Sequence, residues 1–283
     1  MSILSLFHSN QALDEVLIKE RAPVLGMTGD DFGFQLHQKG KHVYLSLGDT
    51  RNQPLIFCHG IFGSFRNIAE IAHGLKGKYQ IIVPCLPMYD VALKQCSVKS
   101  LGEYLVRFTE DLNFNKCIVA GNSMGGGAVL HFSLLAPEKV EKIILFSSSG
   151  LSFIPMRKGA LKIRDYEYMR GLLSDIFYDK NTASEKELQE AFQVLQKKSN
   201  LIRIFSFTRS TKKDLMHEEL PLIQKKCLVI WGKDDEVTPL EIGKEFQRIL
   251  PNNEFHVLDK CGHVPPYEKP QECLKIIKNF LEK

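Results

Sequence analysis

The chain lacks most of the features that mark specialised classes of protein. Nowhere in its 283 residues is there an uninterrupted apolar run long enough for a transmembrane helix. The opening stretch, Met1 to Asn10, has no cationic start and no long apolar core followed by small residues, so it does not read as a secretory leader. These absences lead to the expectation of a cytoplasmic protein without integral membrane association. No Cys-x-x-Cys pair occurs among the seven cysteines, at positions 58, 85, 96, 117, 227, 261 and 273. Four of them (Cys58, Cys85, Cys117 and Cys227) lie in or beside apolar runs, where a thiol behaves as a small hydrophobe. Neither a disulfide framework nor a zinc site is indicated, and no metal or cofactor is expected. The 37 basic residues against 33 acidic ones leave a formal charge of +4 with no long basic run, so nucleic acid is not an implied partner. Internal repeats and low-complexity segments are absent too. What remains is ordinary globular composition, 44% hydrophobic and 25% charged, in a chain long enough to bury a sizeable core.

Short apolar runs alternate with helical patterning, the signature of an α/β fold with a mostly parallel sheet. Phe32 to His37 and Lys41 to Leu47 flank Lys39-Gly40 and predict an opening hairpin. The runs Pro54 to Cys58, Gln80 to Val83, Cys117 to Gly121, Lys142 to Phe146, Cys227 to Trp231 and Glu254 to Leu258 are nearly continuous in apolar character, as strands buried on both faces should be. After Pro270, Cys273, Ile276, Ile277, Phe280 and Leu281 share one face, predicting a helix laid on the sheet. From about 151 to 220 there is no strand-like run. Ser184 with Glu187 predicts a capping box for a helix through about Lys197, and Asn200 is the expected start of another to about His217. The expected organisation is an N-terminal extension over 1–30, which could form a short docking helix, a core over 31–150 and 221–283, and a helical cap over 151–220. Such a cap would lie on the sheet's C-terminal edge, where ligands bind in open α/β folds.

The sharpest chemical signal is Gly121-Asn122-Ser123-Met124-Gly125, a G-x-S-x-G between a strand-like run and a helical stretch ending before Pro137. The turn there is so sharp that its neighbours must be small, and Ser123 would stand exposed at a helix N-terminus, which favours developing negative charge. A serine hydroxyl becomes a useful nucleophile only when a base takes its proton and a third group orients that base. Cys227 to Trp231 runs into Gly232-Lys233-Asp234-Asp235-Glu236, a polar turn able to hold a carboxylate. Cys261-Gly262-His263 follows the last strand and leaves its histidine free to reach the serine. Asp259, nearer to His263 in sequence, reads as a surface or turn residue, and His131 as a satisfied structural histidine on the helix after Ser123.

At these residues the chain resembles the α/β-hydrolase superfamily, from about Phe32 to Lys283. The chain order Ser123, Asp235, His263 is the order of that superfamily, and the resemblance selects Asp235, three residues after the strand-end glycine, over Asp234. It also implies an oxyanion hole. His59-Gly60-Ile61-Phe62-Gly63-Ser64 looks like the loop after strand three in these enzymes, so the backbone N–H groups of Ile61 and Met124 are the implied donors, with Phe62 replacing Ile61 if the loop is shifted, and His59 organises the loop. Serine at the turn separates the chain from relatives that use aspartate there. The His59 to Ser64 stretch is similar to esterases and thioesterases. Gly-Asn-Ser-Met-Gly-Gly and Cys-Gly-His resemble the meta-cleavage-product hydrolases, which cut carbon–carbon bonds, but Ala191-Phe192 stands where those enzymes carry an arginine and a tryptophan. The resemblance therefore implies a serine hydrolase that cleaves a small-molecule carboxylic ester or thioester with an apolar group through an acyl-enzyme. A carbon–carbon hydrolase is the alternative, and a non-catalytic ligand-binding module is the alternative of another class. Substrate-binding residues are expected within 151–220, where Phe153, Tyr166, Tyr168, Phe177, Phe192, Phe205 and Phe207 cluster.

Overall fold

The computed structural model describes residues 32–152 and 160–283. The proposed N-terminal extension and Phe153 lie outside the described residues. Strands β1 (Gln35–Lys39) and β2 (His42–Leu47) form the expected hairpin, closed by the Lys39–His42 pair around Gly40, whose φ of +54° suits glycine. Phe32 is not part of it, because the strand begins at Gln35. There follow β3 (Gln53–Cys58), α1 (Ala69–Leu75), β4 (Tyr79–Pro84), α2 (Val98–Asp111), β5 (Cys117–Asn122), α3 (Met124–Leu135) and β6 (Val140–Phe146). A helical segment, α4 (Tyr166–Ser174), α5 (Glu185–Gln196) and α6 (Lys198–Ser210), separates β6 from β7 (Lys226–Gly232). The chain ends with α7 (Leu240–Ile249), β8 (Asn253–Leu258), the short α8 (Pro265–Glu268) and α9 (Pro270–Leu281).

The eight strands make one sheet in the order β1-β2-β4-β3-β5-β6-β7-β8. β1 pairs with β2, and β2 with β4, in antiparallel fashion; every other pairing is parallel. The near-continuous apolar runs have a direct structural cause, since successive side chains enter two different cores. Ile56, Val119, Ile143, Leu145, Val229 and Trp231 face one, with Leu101 and Phe108 of α2, Val129 and Phe132 of α3 and Phe246 of α7. Leu55, Phe57, Ile118, Ile144, Phe146, Leu228 and Ile230 face the other, closed by Ile71 and Ala72 of α1 and by Ile277 and Phe280 of α9. All seven cysteines are free thiols in buried positions. Because β3 and β5 to β8 run parallel, the loops leaving them emerge together along one edge.

The helical segment has a small core of its own, in which Ile163, Met169, Leu173, Leu188, Leu195 and Ile204 meet, with Ile61, Phe62 and Tyr89 packed against it. Ser184 and Glu187 form the predicted capping box at the start of α5. The next helix differs from expectation. It begins at Lys198 and ends at Ser210, not at Asn200 and near His217. Lys197 takes an extended backbone between α5 and α6, and Asn200 is buried inside the first turn, where its Nδ2 donates to the Val194 carbonyl at 2.9 Å. The C-terminal end is set by hydroxyls: Ser210 Oγ donates to Phe207 O and Thr211 Oγ1 to Thr208 O, competing with continued helix. His131 also differs, since its Nε2 is buried with no hydrogen-bond partner among the described residues, and burial lowers its pKa. No described helix is long and apolar enough to cross a membrane.

Two glycines give opposite expectations. A Cβ on Gly102 of α2 would stand 2.5 Å from the His131 Cβ and 3.0 Å from the Phe132 nitrogen, so Gly102→Ala should force α2 and α3 apart. A loss of about 1–3 kcal/mol is expected in urea unfolding. Gly171 in α4 has nothing within 4 Å of such a Cβ. Gly171→Ala should therefore gain about 0.5–1 kcal/mol through reduced chain entropy. Equal effects at the two positions would contradict this packing.

Candidate active site

Ser123 lies between the end of β5 and the first turn of α3 with φ +54° and ψ −122°, a backbone state that non-glycine residues rarely adopt. Neighbouring backbone holds it there. Its N–H donates to Phe146 O at 3.0 Å, and its carbonyl accepts from Ser149 N–H and Gly126 N–H, each at 3.0 Å. The flanking glycines are required by close approach. A Cβ on Gly125 would be 2.0 Å from the Cys58 carbonyl oxygen, and one on Gly121 would be 2.4 Å from Gly125 O. Asn122 is buried and ties two parts of the site together, its Nδ2 donating to Phe146 O and to His263 O, each at 3.0 Å.

The carboxylate of Asp235 is buried, and Val237 and Thr238 of its loop turn donors toward it. Oδ1 accepts from the N–H groups of Val237 and Thr238, each at 2.9 Å, and Oδ2 accepts from Thr238 Oγ1 at 2.9 Å. The single tryptophan anchors the same loop from below, Trp231 Nε1 donating to Thr238 O at 2.8 Å. Facing Asp235, His263 Nδ1 lies 2.9 Å from Oδ2 and 3.1 Å from Oδ1. The imidazole is set by its backbone, with His263 N–H donating to Ile176 O at 2.8 Å. Burial alone would raise the Asp235 carboxyl. The charge and hydrogen bond of His263, with the Thr238 donors, outweigh burial and hold it below the usual carboxylate range. The acid therefore stays ionised and fixes a proton on the Nδ1 side of His263, leaving Nε2 for other work.

Asp234 is exposed and makes no hydrogen bond to His263 among the described residues, and Asp259 pairs on the surface with Lys233 at 2.7 Å. His59 is buried, with Nδ1 2.8 Å from Gly60 O, and burial lowers its pKa.

Ser123 and His263 border one cavity of about 190 Å³. Among the described residues no hydrogen bond joins the Ser123 hydroxyl to the His263 ring, a looseness common in sites without bound substrate. Ile61, Phe62 and Met124 border the cavity as well, and their backbone N–H groups meet no acceptor among the described residues. Ile176, Phe177, Thr208 and Thr211, from the segment between β6 and β7, close its far side. Thr238, Asn122 and the Ile176 carbonyl were not signalled by the sequence. Thr238 sits three residues after Asp235, within reach of a side-chain-to-backbone turn, and is the one of the three that local spacing could have found.

Residues 55–276 match the Alpha/beta hydrolase family. The chain is 28% identical over 247 residues to the uncharacterized hydrolase YugF of Bacillus subtilis, covering 81% of this chain and 90% of that protein. It is 30% identical over 262 residues to a 2-hydroxy-6-oxononadienedioate/2-hydroxy-6-oxononatrienedioate hydrolase of Burkholderia vietnamiensis, covering 83% of this chain and 88% of the relative. Among solved structures, a bacterial membrane phospholipase A superposes with a TM-score of 0.78 at 22% identity, over 94% of this chain and 90% of that one. A variant of the meta-cleavage product hydrolase CumD superposes with a TM-score of 0.76 at 20% identity, over 88% and 97%. The sheet order, the strained serine turn and a match spanning β3 to α9 lead to one conclusion: the chain belongs to the alpha/beta hydrolase family and is a hydrolase of that fold.

Proposed function

We propose that the protein is a serine hydrolase that cleaves a carboxylic ester or thioester carrying an apolar group, with Ser123 as nucleophile, His263 as general base and acid, and Asp235 as the group that orients His263. The helices between β6 and β7 act as a cap that shapes the pocket. His263 Nε2 takes the proton of Ser123 as Oγ attacks the carbonyl carbon, and the N–H groups of Ile61 and Met124 donate to the oxyanion. The bond to the leaving group then breaks, and His263 returns the proton to the departing alcohol or thiol. Water, deprotonated by His263, attacks the acyl-enzyme; the acid leaves and Ser123 recovers its hydrogen.

The observation that carries this reading over its rivals is the lining of the cavity at Ser123. Ile61, Phe62, Ile176, Phe177, Val237 and Val264 border it, and among the described residues no lysine, arginine, aspartate or glutamate does. An uncharged ester fits such walls. The Burkholderia relative is named for a hydrolase of dienoates, and that name supports the carbon–carbon reading as the second candidate. A dienoate carboxylate needs a cation. Arg164 and Arg209 are exposed, Arg170 pairs with Glu167 at 3.1 Å, Arg203 Nε donates to Val91 O at 2.7 Å, and Arg66, beside the cavity, pairs with Glu190 at 2.8 Å. Phe192, at the position aligned with that family's tryptophan, meets the Tyr166 ring edge-on at 5.1 Å. A purely ligand-binding role is disfavoured by the strained serine and the buried Asp235–His263 pair, both costly without chemistry to perform.

Steady-state assays of an aryl butyrate beside a 2-hydroxy-6-oxo-dienoate separate the readings. The ester should be the far better substrate, and Ser123→Ala and His263→Ala should each lower its kcat by on the order of 10⁶-fold, with the double variant little worse. Efficient dienoate cleavage with a weak ester rate would overturn the proposal.

The orienting role of Asp235 makes a separate forecast. Asp235→Asn should lower kcat by about 10⁴-fold and Asp234→Asn far less. Thr238→Val, which removes one donor to Asp235, should lower kcat more than KM and raise the pH of the acid limb, whereas Thr238→Ser should restore both. A Thr238→Val enzyme indistinguishable from its parent in rate and pH profile would leave that hydroxyl with a packing role only.

A further inference from the structure

A second, smaller chamber of about 80 Å³ adjoins the cavity at Ser123. Phe62, Gly63, Asn67, Ile176 and Phe177 border both spaces. The chemistry changes across that shared wall. Where the first cavity has no acidic or basic side chain except His263, the second is bordered by Arg66, Glu187 and Glu190 and by Tyr267.

The two acids are already engaged. Glu187 accepts from Ser184 N–H at 2.9 Å and Ser184 Oγ at 2.7 Å as part of its capping box, and from the Tyr267 hydroxyl at 3.0 Å. Glu190 of α5 accepts from Arg66 Nη1 at 2.8 Å, joining that helix to the 3₁₀ turn Phe65–Ile68 in the core. Arg66 is in a different position. Its side chain is only 11% exposed and lies over the Phe65 ring, with the guanidinium carbon 5.7 Å from the ring centroid. A guanidinium has five N–H donors. Beyond the bond to Glu190, the side-chain donors of Arg66 have no acceptor among the described residues. Arg66 borders the chamber, which is the space in which an acceptor can reach those donors.

We propose that this chamber binds the uncharged, hydroxyl-bearing part of the substrate, held by Arg66 and Glu190 while the carbonyl lies at Ser123. The proposal rests on the ester reading and narrows it to esters with an apolar acyl side and a polyol side. Charge selects hydroxyls over carboxylates. The described walls set two carboxylates against one guanidinium, so an entering anion meets net repulsion at short range. A hydroxyl can accept from Arg66 and donate to Glu190 at once. Size agrees: a single water needs roughly 10–15 Å³ of such space, so a chamber of about 80 Å³ takes a group the size of glycerol.

The test uses the full chain and three butyrate esters with a common acyl group: 1-monobutyrylglycerol, propyl butyrate and the butyrate ester of glycolic acid. The unmodified enzyme should prefer the glycerol ester to the propyl ester by about tenfold or more in kcat/KM, the size expected for one added hydrogen bond to a charged group, and should disfavour the anionic ester. Arg66→Met should collapse the ratio of glycerol ester to propyl ester. Glu190→Gln, which removes a negative charge with little change of shape, should raise the anionic ester relative to the other two. Preference for the anionic ester in the unmodified enzyme, or no preference between the glycerol and propyl esters, would overturn the proposal without any variant having to fold. Hydrolysis of the propyl ester alone would leave the ester reading standing and remove the polyol site; failure on all three esters would remove both.

Discussion

The strained backbone of Ser123 is the constraint around which the rest of the molecule is arranged. A residue at φ +54° and ψ −122° costs about 1–3 kcal/mol and persists only when its surroundings over-determine it. Here β3, β5 and β6 supply that surround. Cys58 is in register with Gly121, Asn122 with Phe146, and the Ser123 amide is held by the Phe146 carbonyl. Contact this close leaves little or no room for a side chain. At Gly60 an added Cβ would lie 3.2 Å from the Ser123 Cβ, and at Gly125 it would enter the Cys58 carbonyl. The two buried cores thus fix more than stability. They hold three parallel strands in the one register that presents the serine above the sheet edge, around the same cavity as the N–H groups of Ile61, Phe62 and Met124, which meet no acceptor among the described residues.

A buried carboxylate imposes the second constraint. Asp235 is satisfied by Val237, Thr238 and His263, and Thr238 is itself held by Trp231. The result is a continuous path from the core of β7 to the imidazole. Trp231 in turn rests on Gly243 of α7, where an added Cβ would meet the indole at 2.7 Å. Because the folded Asp235 carboxyl is held below its ordinary range, its interactions stabilise the fold above the usual carboxylate pKa and are lost as the pH falls through its lowered value. Acid therefore removes stability and the orientation of His263 together.

Strands β3 to β7 were legible because they are buried on both faces, and a run such as Ile-Phe-Cys or Leu-Val-Ile-Trp has few other uses; β8, expected to be buried likewise, is an edge strand and half-exposed. Ser123, Asp235 and His263 stood out because each follows such a run at a turn of distinctive composition. What escaped the sequence depends on partners distant along the chain. The start of α6 is displaced from Asn200 because that amide reaches back to Val194, and His131 Nε2 is left without a hydrogen-bond partner among the described residues where α2 packs on α3. Arg66 is 124 residues from Glu190, so neither their pairing nor the chamber beside it has any local signature.

The proteins similar to this chain include a phospholipase A and hydrolases of meta-cleavage products. The proposed acyl transfer passes through an ester on Ser123. Mass spectrometry of the enzyme quenched in acid during turnover of an aryl butyrate tests it directly. One added butyryl group is expected, on the peptide containing Ser123, absent from the Ser123→Ala and His263→Ala variants. Sustained turnover with no adduct, or an adduct on any other residue, would contradict it.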